Sequence, residues 1–171
     1  MDPAEHGGAA LAPEAAEQGT LTRPRLRAMS FFNIEPEASG SPTVGSPPGT
    51  VACVFDTWLG DDLIRAYPAV LATTPVKRAL LSLPQPTGFE ITRARIRTSG
   101  FFRKHSQGKR LPTFWAIRVR GHPGRDDLGL TTAGTLVVSR RVLDVLLDFR
   151  IGRAVLTQYT AGKPASRRKR G

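Results

Sequence analysis

Between Arg125 and Phe149 the chain passes through an acidic turn, an apolar run, a hydroxyl and an amphipathic repeat, and no other stretch constrains the fold as much. Arg125-Asp126-Asp127-Leu128-Gly129-Leu130 is the turn. Leu136-Val137-Val138 is short and apolar on both faces, which predicts a buried strand. Ser139 stands where a helix N-cap would satisfy exposed amides. Val142, Leu143, Leu146 and Phe149 then recur at helical spacing, with Gly152 just past the expected end. A similar order occurs earlier, in Gly60-Asp61-Asp62-Leu63 and the strand-like Ala69-Val70-Leu71-Ala72. There Thr74 is the expected cap and Pro75 the first helical residue, ahead of Val76, Ala79, Leu80 and Leu83. Aligning Thr73 with Ser139 places Val76 on Val142, Ala79 on Val145, Leu80 on Leu146 and Leu81 on Leu147. Two similar β-α-β pieces on one sheet would produce this match, and so would chance reuse of the same capping residues.

The remaining segments complete the expected order. Residues 1–28 lack the spaced aliphatic residues that offset the entropy of ordering a backbone, which predicts a disordered arm. Met29 opens the more structured Ser30 to Glu37 piece and is the expected natural start. Ala38 to Thr50, with Pro47-Pro48-Gly49, reads as a linker. Val51 to Asp56 is an expected strand. Asp61-Asp62 are placed to favour the positive end of a helix over 61–67, with Leu63, Ile64 and Tyr67 inward and Pro68 ending it. Phe89 to Thr98 and Pro112 to Arg120 alternate as strands, the first with Ala94, Ile96 and Thr98 on one side, the second with Trp115, Ile117 and Val119 inward. Lys104 to Arg110 reads as a polar loop, Ala154 to Tyr159 as a last strand, and 161–171 as a basic disordered tail. The expected architecture is a single α+β domain over 29–160. It has a mixed β-sheet and short packed helices near 61–67, 75–83 and 139–150.

Composition narrows the classes of function. A formal net charge of +11 draws the chain to phosphates, acidic lipids or acidic protein surfaces. Cys53, the only cysteine, excludes an internal disulfide and any cysteine-rich metal cluster, and a cytoplasmic location is the economical expectation. The apolar runs at Val51 to Phe55 and Ala69 to Ala72 are far shorter than the ~20 residues of a membrane helix. Asp2, Glu5, Glu14 and Glu17 occupy an N-terminus where an export signal would be basic and then apolar.

Reactive clusters are the next question. Adjacent carboxylates diverge on strands and helices alike, so Asp61-Asp62 or Asp126-Asp127 alone makes no chelate. His6, His105 and His122 fall in separate segments without ligand spacing. Cys53 lies in an apolar run as a small hydrophobe, and Ser139 is best used on its helix cap. No glycine-rich phosphate loop stands between a strand and a helix. The chain is therefore read as non-enzymatic, with no cofactor and no metal. Its basic signal is stronger: Ile91 to Arg125 holds ten Lys or Arg residues and no Asp or Glu. If the two alternating strands are neighbours, Arg93, Arg95, Arg97, Arg118 and Arg120 share one face. Like charges there are destabilising unless a phosphate backbone or an acidic protein compensates them. A solvated face neutralised in part by Glu90, Asp126 and Asp127 is the plainer account. The tail Arg167-Arg168-Lys169-Arg170 would add to nucleic-acid affinity or simply solubilise.

The pattern Phe55-Asp56-x-Trp58-Leu59-Gly60-Asp61-Asp62-Leu63, Tyr67-Pro68, Leu111-Pro112-x-Phe114, Gly121, Asp126-Asp127-x-Gly129 and Leu136-Val137-Val138-Ser139 resembles a group of uncharacterised bacterial proteins. That group is similar to the immunity-protein families of polymorphic toxin systems. The opening Phe32-x-Ile34-Glu35-Pro36-Glu37 resembles the same group. The resemblance spans about Phe31 to Tyr159 and implies a small cytosolic α+β protein, without catalysis, that binds and neutralises a cognate protein toxin. It implies Trp58, Asp61, Asp62, Trp115, Asp126 and Asp127 as contact residues, with core packing the competing role for both tryptophans. Ala38-Ser39-Gly40-Ser41-Pro42 replaces the group's glycine-rich opening. The positive charge is unlike mimicry of nucleic acid, so a nuclease is not the expected target. Phosphate-backbone binding through the arginine face and the tail is the alternative.

Overall fold

β-Branched and apolar runs set between tight turns favour strands. The computed structural model describes residues 30–43 and 50–161, which form ten strands and three short helices. In chain order these are β1 (Phe31–Glu35), β2 (Glu37–Pro42), β3 (Val51–Phe55), β4 (Leu63–Ala66), β5 (Ala69–Thr73), α1 (Thr74–Leu81) and β6 (Phe89–Thr98). There follow α2 (Gly100–His105), β7 (Phe114–Val119), β8 (Leu128–Leu130), β9 (Leu136–Ser139), α3 (Arg140–Leu147) and β10 (Val155–Gln158). The fold is α+β and rich in strand. The expectations for residues 1–28, for Met29, for Pro47 to Gly49 and for the tail from 162 onward lie outside the described residues.

Six strands close into a barrel in the order β2-β3-β6-β7-β5-β4. Two of its pairs, β2 with β4 and β3 with β6, are parallel, and the others are antiparallel. The other four strands form an antiparallel sheet ordered β10-β1-β9-β8. The expected single mixed sheet is thus a mixed barrel joined to a separate antiparallel sheet. Alternate residues of the barrel strands, among them Cys53, Phe55, Ile64, Leu71, Phe114 and Ala116, converge on one core with Phe102 of α2. The opposite faces of β4, β5 and β7, through Leu63, Val70, Ala72 and Ile117, pack against the antiparallel sheet and against α1 and α3 in a second core. Val142, Leu143 and Leu146 enter that second core, where each fully buried aliphatic side chain contributes roughly 1.5–3 kcal/mol.

Three local readings are corrected. The stretch 61–67 is no helix: Leu63–Ala66 is a strand paired with Ala69 to Ala72 across the turn at Tyr67-Pro68, whose peptide bond is cis. A four-residue apolar run fits both periods, and pairing on two sides decides for the strand. The expected linker from Ala38 contains most of β2, despite residues of low strand propensity. Pairing with both β3 and β4 overrides that propensity. Gly40 suits the close approach there, because a Cβ at this position would lie 2.0 Å from the Val54 carbonyl oxygen. The polar loop before Arg110 begins with helix α2, capped by Ser99 Oγ accepting from the Phe102 amide at 3.1 Å and held by buried Phe102. Smaller shifts move the cap of α1 to Thr73 and end α3 at Leu147, short of the expected 150.

The two stretches that echo each other in sequence are structural counterparts, each a ββα unit: β4-β5-α1 and β8-β9-α3. They lie on different sheets, so the expectation of β-α-β pieces on one sheet is corrected. In the first, the Thr73 amide donates to the Asp62 carbonyl and Thr73 Oγ1 to Asp62 Oδ1, both at 2.9 Å. In the second, the Ser139 amide donates to the Asp127 carbonyl and Ser139 Oγ to Asp127 Oδ1, both at 2.8 Å. Each aspartate then reaches across to the other unit. Asp62 Oδ2 accepts from the Arg150 amide after α3 at 3.1 Å, and Asp127 Oδ2 from the Thr87 amide after α1 at 2.9 Å.

Candidate protein-binding surface

The four aspartates singled out by sequence occupy two separate joints of the framework. Asp127 is buried and, besides Ser139 and Thr87, accepts from Arg141 Nε at 2.6 Å and from Arg141 Nη2. Arg141 also donates to the Pro84 and Gln85 carbonyls, so this carboxylate ties α3 to the loop after α1. Asp126 Oδ2 accepts from the His122 amide at 2.7 Å and closes a turn. Asp61 is buried and accepts from the Arg153 amide at 3.0 Å. Asp127 is thus enclosed by its bonds, whereas Asp61 is buried with one hydrogen bond to its carboxylate among the described residues, from the Arg153 amide. Asp62 is nearly covered as well. Among the described residues no group of three or more His, Cys, Asp or Glu side chains is arranged to hold a metal ion.

Both tryptophans are half-buried and bonded. Trp58 Nε1 donates to the Asp61 carbonyl at 2.9 Å, and its ring meets Phe114 edge-on. Trp115 Nε1 donates to Thr74 Oγ1 at 3.0 Å, and Lys77 Nζ lies 3.1 Å from the centroid of its ring. Trp58 thereby braces the loop that carries Leu59, and the Lys77 ammonium covers one face of Trp115.

The five arginines do not share a face. In the antiparallel β6-β7 pair, Arg93 stands opposite Trp115 and Glu90 opposite Arg118. Directly opposed residues project to the same side. Arg93, Arg95 and Arg97 therefore project outward with Trp115, whereas Arg118 and Arg120 follow Phe114 and Ala116 on the other side. Arg120 pairs with Glu90 at 3.1 Å. The expectation failed because alternation within each strand says nothing of register between them. What remains is an exposed ladder of three arginines on β6, continued by Arg103 and Lys104 of α2.

The least expected feature is a depression of 560 Å³ lined by Leu59, Leu147, Phe149, Arg150, Arg153 and Leu156, among others. Leu59 and Leu147 are each about half exposed. The guanidinium groups of Arg150 and Arg153 stand 3.8 and 3.9 Å from Asp62 and Asp61; Arg150 is largely exposed, and half-exposed Arg153 also donates from Nη1 to the Leu59 carbonyl at 3.4 Å. Asp61 forms part of the floor. Within reach of the charge of Asp61, Glu37 has its carboxylate oxygens shielded from solvent without a hydrogen bond of good geometry, although the Leu59 amide lies near enough to favour the anion. Burial first, and the charge of Asp61 second, push the Glu37 carboxyl above its ordinary range, opposed by Arg153 and Lys109. One signal in the sequence marked this surface. Leu147 follows Leu146 and falls outside the buried stripe, as Leu81 does in the twin unit, and both are exposed. A second hollow, of 430 Å³, is lined by Val51, Ala69, Ile117 and Arg118, among others. No family model, curated protein or solved structure matches the chain.

Proposed function

We propose that this protein is a non-catalytic, immunity-like binding protein that neutralises a toxin protein by covering part of its surface. One observation carries the reading: solvent-facing leucines and a half-buried phenylalanine sit together where α3 ends, flanked by the exposed Arg150 guanidinium and the half-exposed Arg153 guanidinium. Protein interfaces concentrate aromatic and arginine residues around a desolvated centre, and a folded chain otherwise gains nothing from leaving such residues in water. The resemblance of the sequence motifs to immunity families supplies the class of partner. The test is co-expression with a toxin encoded beside this gene, with protection and complex formation as readouts. Leu147→Asp is expected to leave the fold intact and weaken the complex roughly thirtyfold, a loss of about 2 kcal/mol. Equal protection by wild type and variant, or failure of the wild type to protect, rejects the proposal. A second reading, binding of a phosphate backbone, is supported by the exposed Arg93, Arg95 and Arg97.

A further inference from the structure

Strand edges are where a sheet accepts another chain, and among the described residues one of them is open. The barrel has no edge by closure. On the antiparallel sheet, the outer side of β8 is met by a bridge between Gly129 and Gly121. The opposite edge, β10, pairs only with β1 among the described residues. The strand is short, but its sequence, Val155-Leu156-Thr157-Gln158, carries no charge, no proline and no bulge to blunt the edge. All four residues are exposed, and Val155 and Leu156 are apolar.

The register says which groups are free. The Tyr159 amide donates to the Phe31 carbonyl. Bonded and non-bonded pairs alternate along an antiparallel ladder. Thr157 and Val155 therefore also turn toward β1, while Leu156 and Gln158 present their N–H and C=O groups outward. Leu156 in addition lines the depression that holds Leu147, Phe149, Arg150 and Arg153. A strand laid along β10 would thus find backbone partners at Leu156 and Gln158, an apolar floor for one of its faces, and two guanidiniums beside it.

We propose that β10 receives an extended segment of another protein, added as a fifth strand, whose alternate residues are apolar over Leu147 and Leu156 and acidic toward Arg150 and Arg153. The inference rests on the protein-binding reading and specifies how the partner docks. Charge chooses this occupant over a second copy of the chain. Two chains that each carry a net charge of +11 repel, and pairing β10 with itself would bring two copies of the Arg150 and Arg153 cluster together. An acidic strand gains from the same groups, while its backbone bonds supply affinity and its side chains supply selectivity.

The probe is a synthetic peptide of alternating valine and glutamate, titrated into the isotope-labelled full chain and followed by amide NMR, with an alternating valine and lysine peptide as the control. Binding of the acidic peptide is expected to move and protect the Leu156 and Gln158 amides and to leave those of Thr157 and Val155 already protected. Gln158→Pro removes one outward donor, which an edge strand tolerates, and is expected to weaken peptide binding about tenfold without altering the melting temperature. Arg150→Glu is expected to reverse the preference toward the lysine peptide. No response at Leu156 and Gln158, an equal response to both peptides, or a concentration-dependent dimer that protects the same amides overturns the inference. The toxin-binding reading fails separately. If a co-expressed toxin binds wild type and Gln158→Pro alike, strand addition is wrong and neutralisation stands. If the peptide binds at β10 but no toxin is neutralised, the reverse holds.

Discussion

Burial alone would make Asp127 a weaker acid. The bonds from Arg141, the Thr87 amide and the Ser139 hydroxyl outweigh it and hold the carboxyl below its ordinary value of 3.8. A depressed acid stabilises the fold fully above its unfolded value and progressively loses that contribution as pH falls through the lower folded value. Denaturant unfolding followed from about pH 5 to pH 2 should therefore show a loss of stability in wild type that is smaller in Asp127→Asn. Asp127→Ala removes the acceptor from the fully buried Ser139 and from Thr87, while half-exposed Arg141 regains water in part. The expected cost is about 3 kcal/mol. Glu37 has the opposite sign. Its folded value is raised above 4.5, so the charged form is disfavoured in the native state at neutral pH and the penalty lifts as pH falls toward that window. Glu37→Gln should raise the melting temperature at pH 7 and lose this advantage near pH 4, where Glu37 is protonated in wild type as well. An unchanged difference across that range would show that burial is not what perturbs Glu37. The sequence marked the Asp-Asp pairs as structural turns, yet it could not show which member of each pair turns inward. That depends on Arg153 and Thr87, 92 and 40 residues away in the chain.

At the scale of elements, legibility followed the amount of local information in each segment. Helix α3 was readable because Ser139, Val142, Leu143 and Leu146 encode cap and stripe within a few residues, and β6 because Arg93, Arg95 and Arg97 alternate with Ala94 and Ile96. Strand β2 was not readable. Ala38-Ser39-Gly40-Ser41-Pro42 lacks strand formers, and its pairing comes from β3 on one side and β4 on the other. The false helix at 61–67 has a related origin: Leu63, Ile64 and Ala66 are all buried because both faces of β4 are covered, which erases the alternation that identifies a strand. The Asp-hydroxyl clasp was half visible. Aligning Thr73 with Ser139 found the matching helices, and the structure adds the reason for the match, since both hydroxyl residues bond the aspartate that opens their own hairpin. The twins differ at the helix cap. Ser139 Oγ also accepts from the Val142 amide, whereas Thr73 makes no side-chain cap bond to α1.

For the whole molecule, the distribution of charge decides between the two kinds of partner. A net charge of +11 produces some attraction to any polyanion at low salt, so weak binding of DNA by itself separates nothing. Its salt dependence does, because each phosphate neutralised releases counterions and adds about 0.9 to the slope of log K against log salt on duplex DNA. The register that splits the five arginines leaves Arg93, Arg95 and Arg97 as the coherent outward group. If that ladder is a phosphate-binding face, reversing all three charges should reduce the slope by roughly 2.7 and abolish binding near physiological salt. If the functional surface lies instead at β10 and α3, the wild type should bind DNA only weakly and without preference for sequence, the triple variant should change that attraction modestly, and both should neutralise a co-expressed toxin equally. The two sites lie on different sheets, so substitutions in one leave the contacts of the other intact. A triple variant that loses both DNA binding and toxin neutralisation would place the partner on the β6 face and displace the groove as the contact surface.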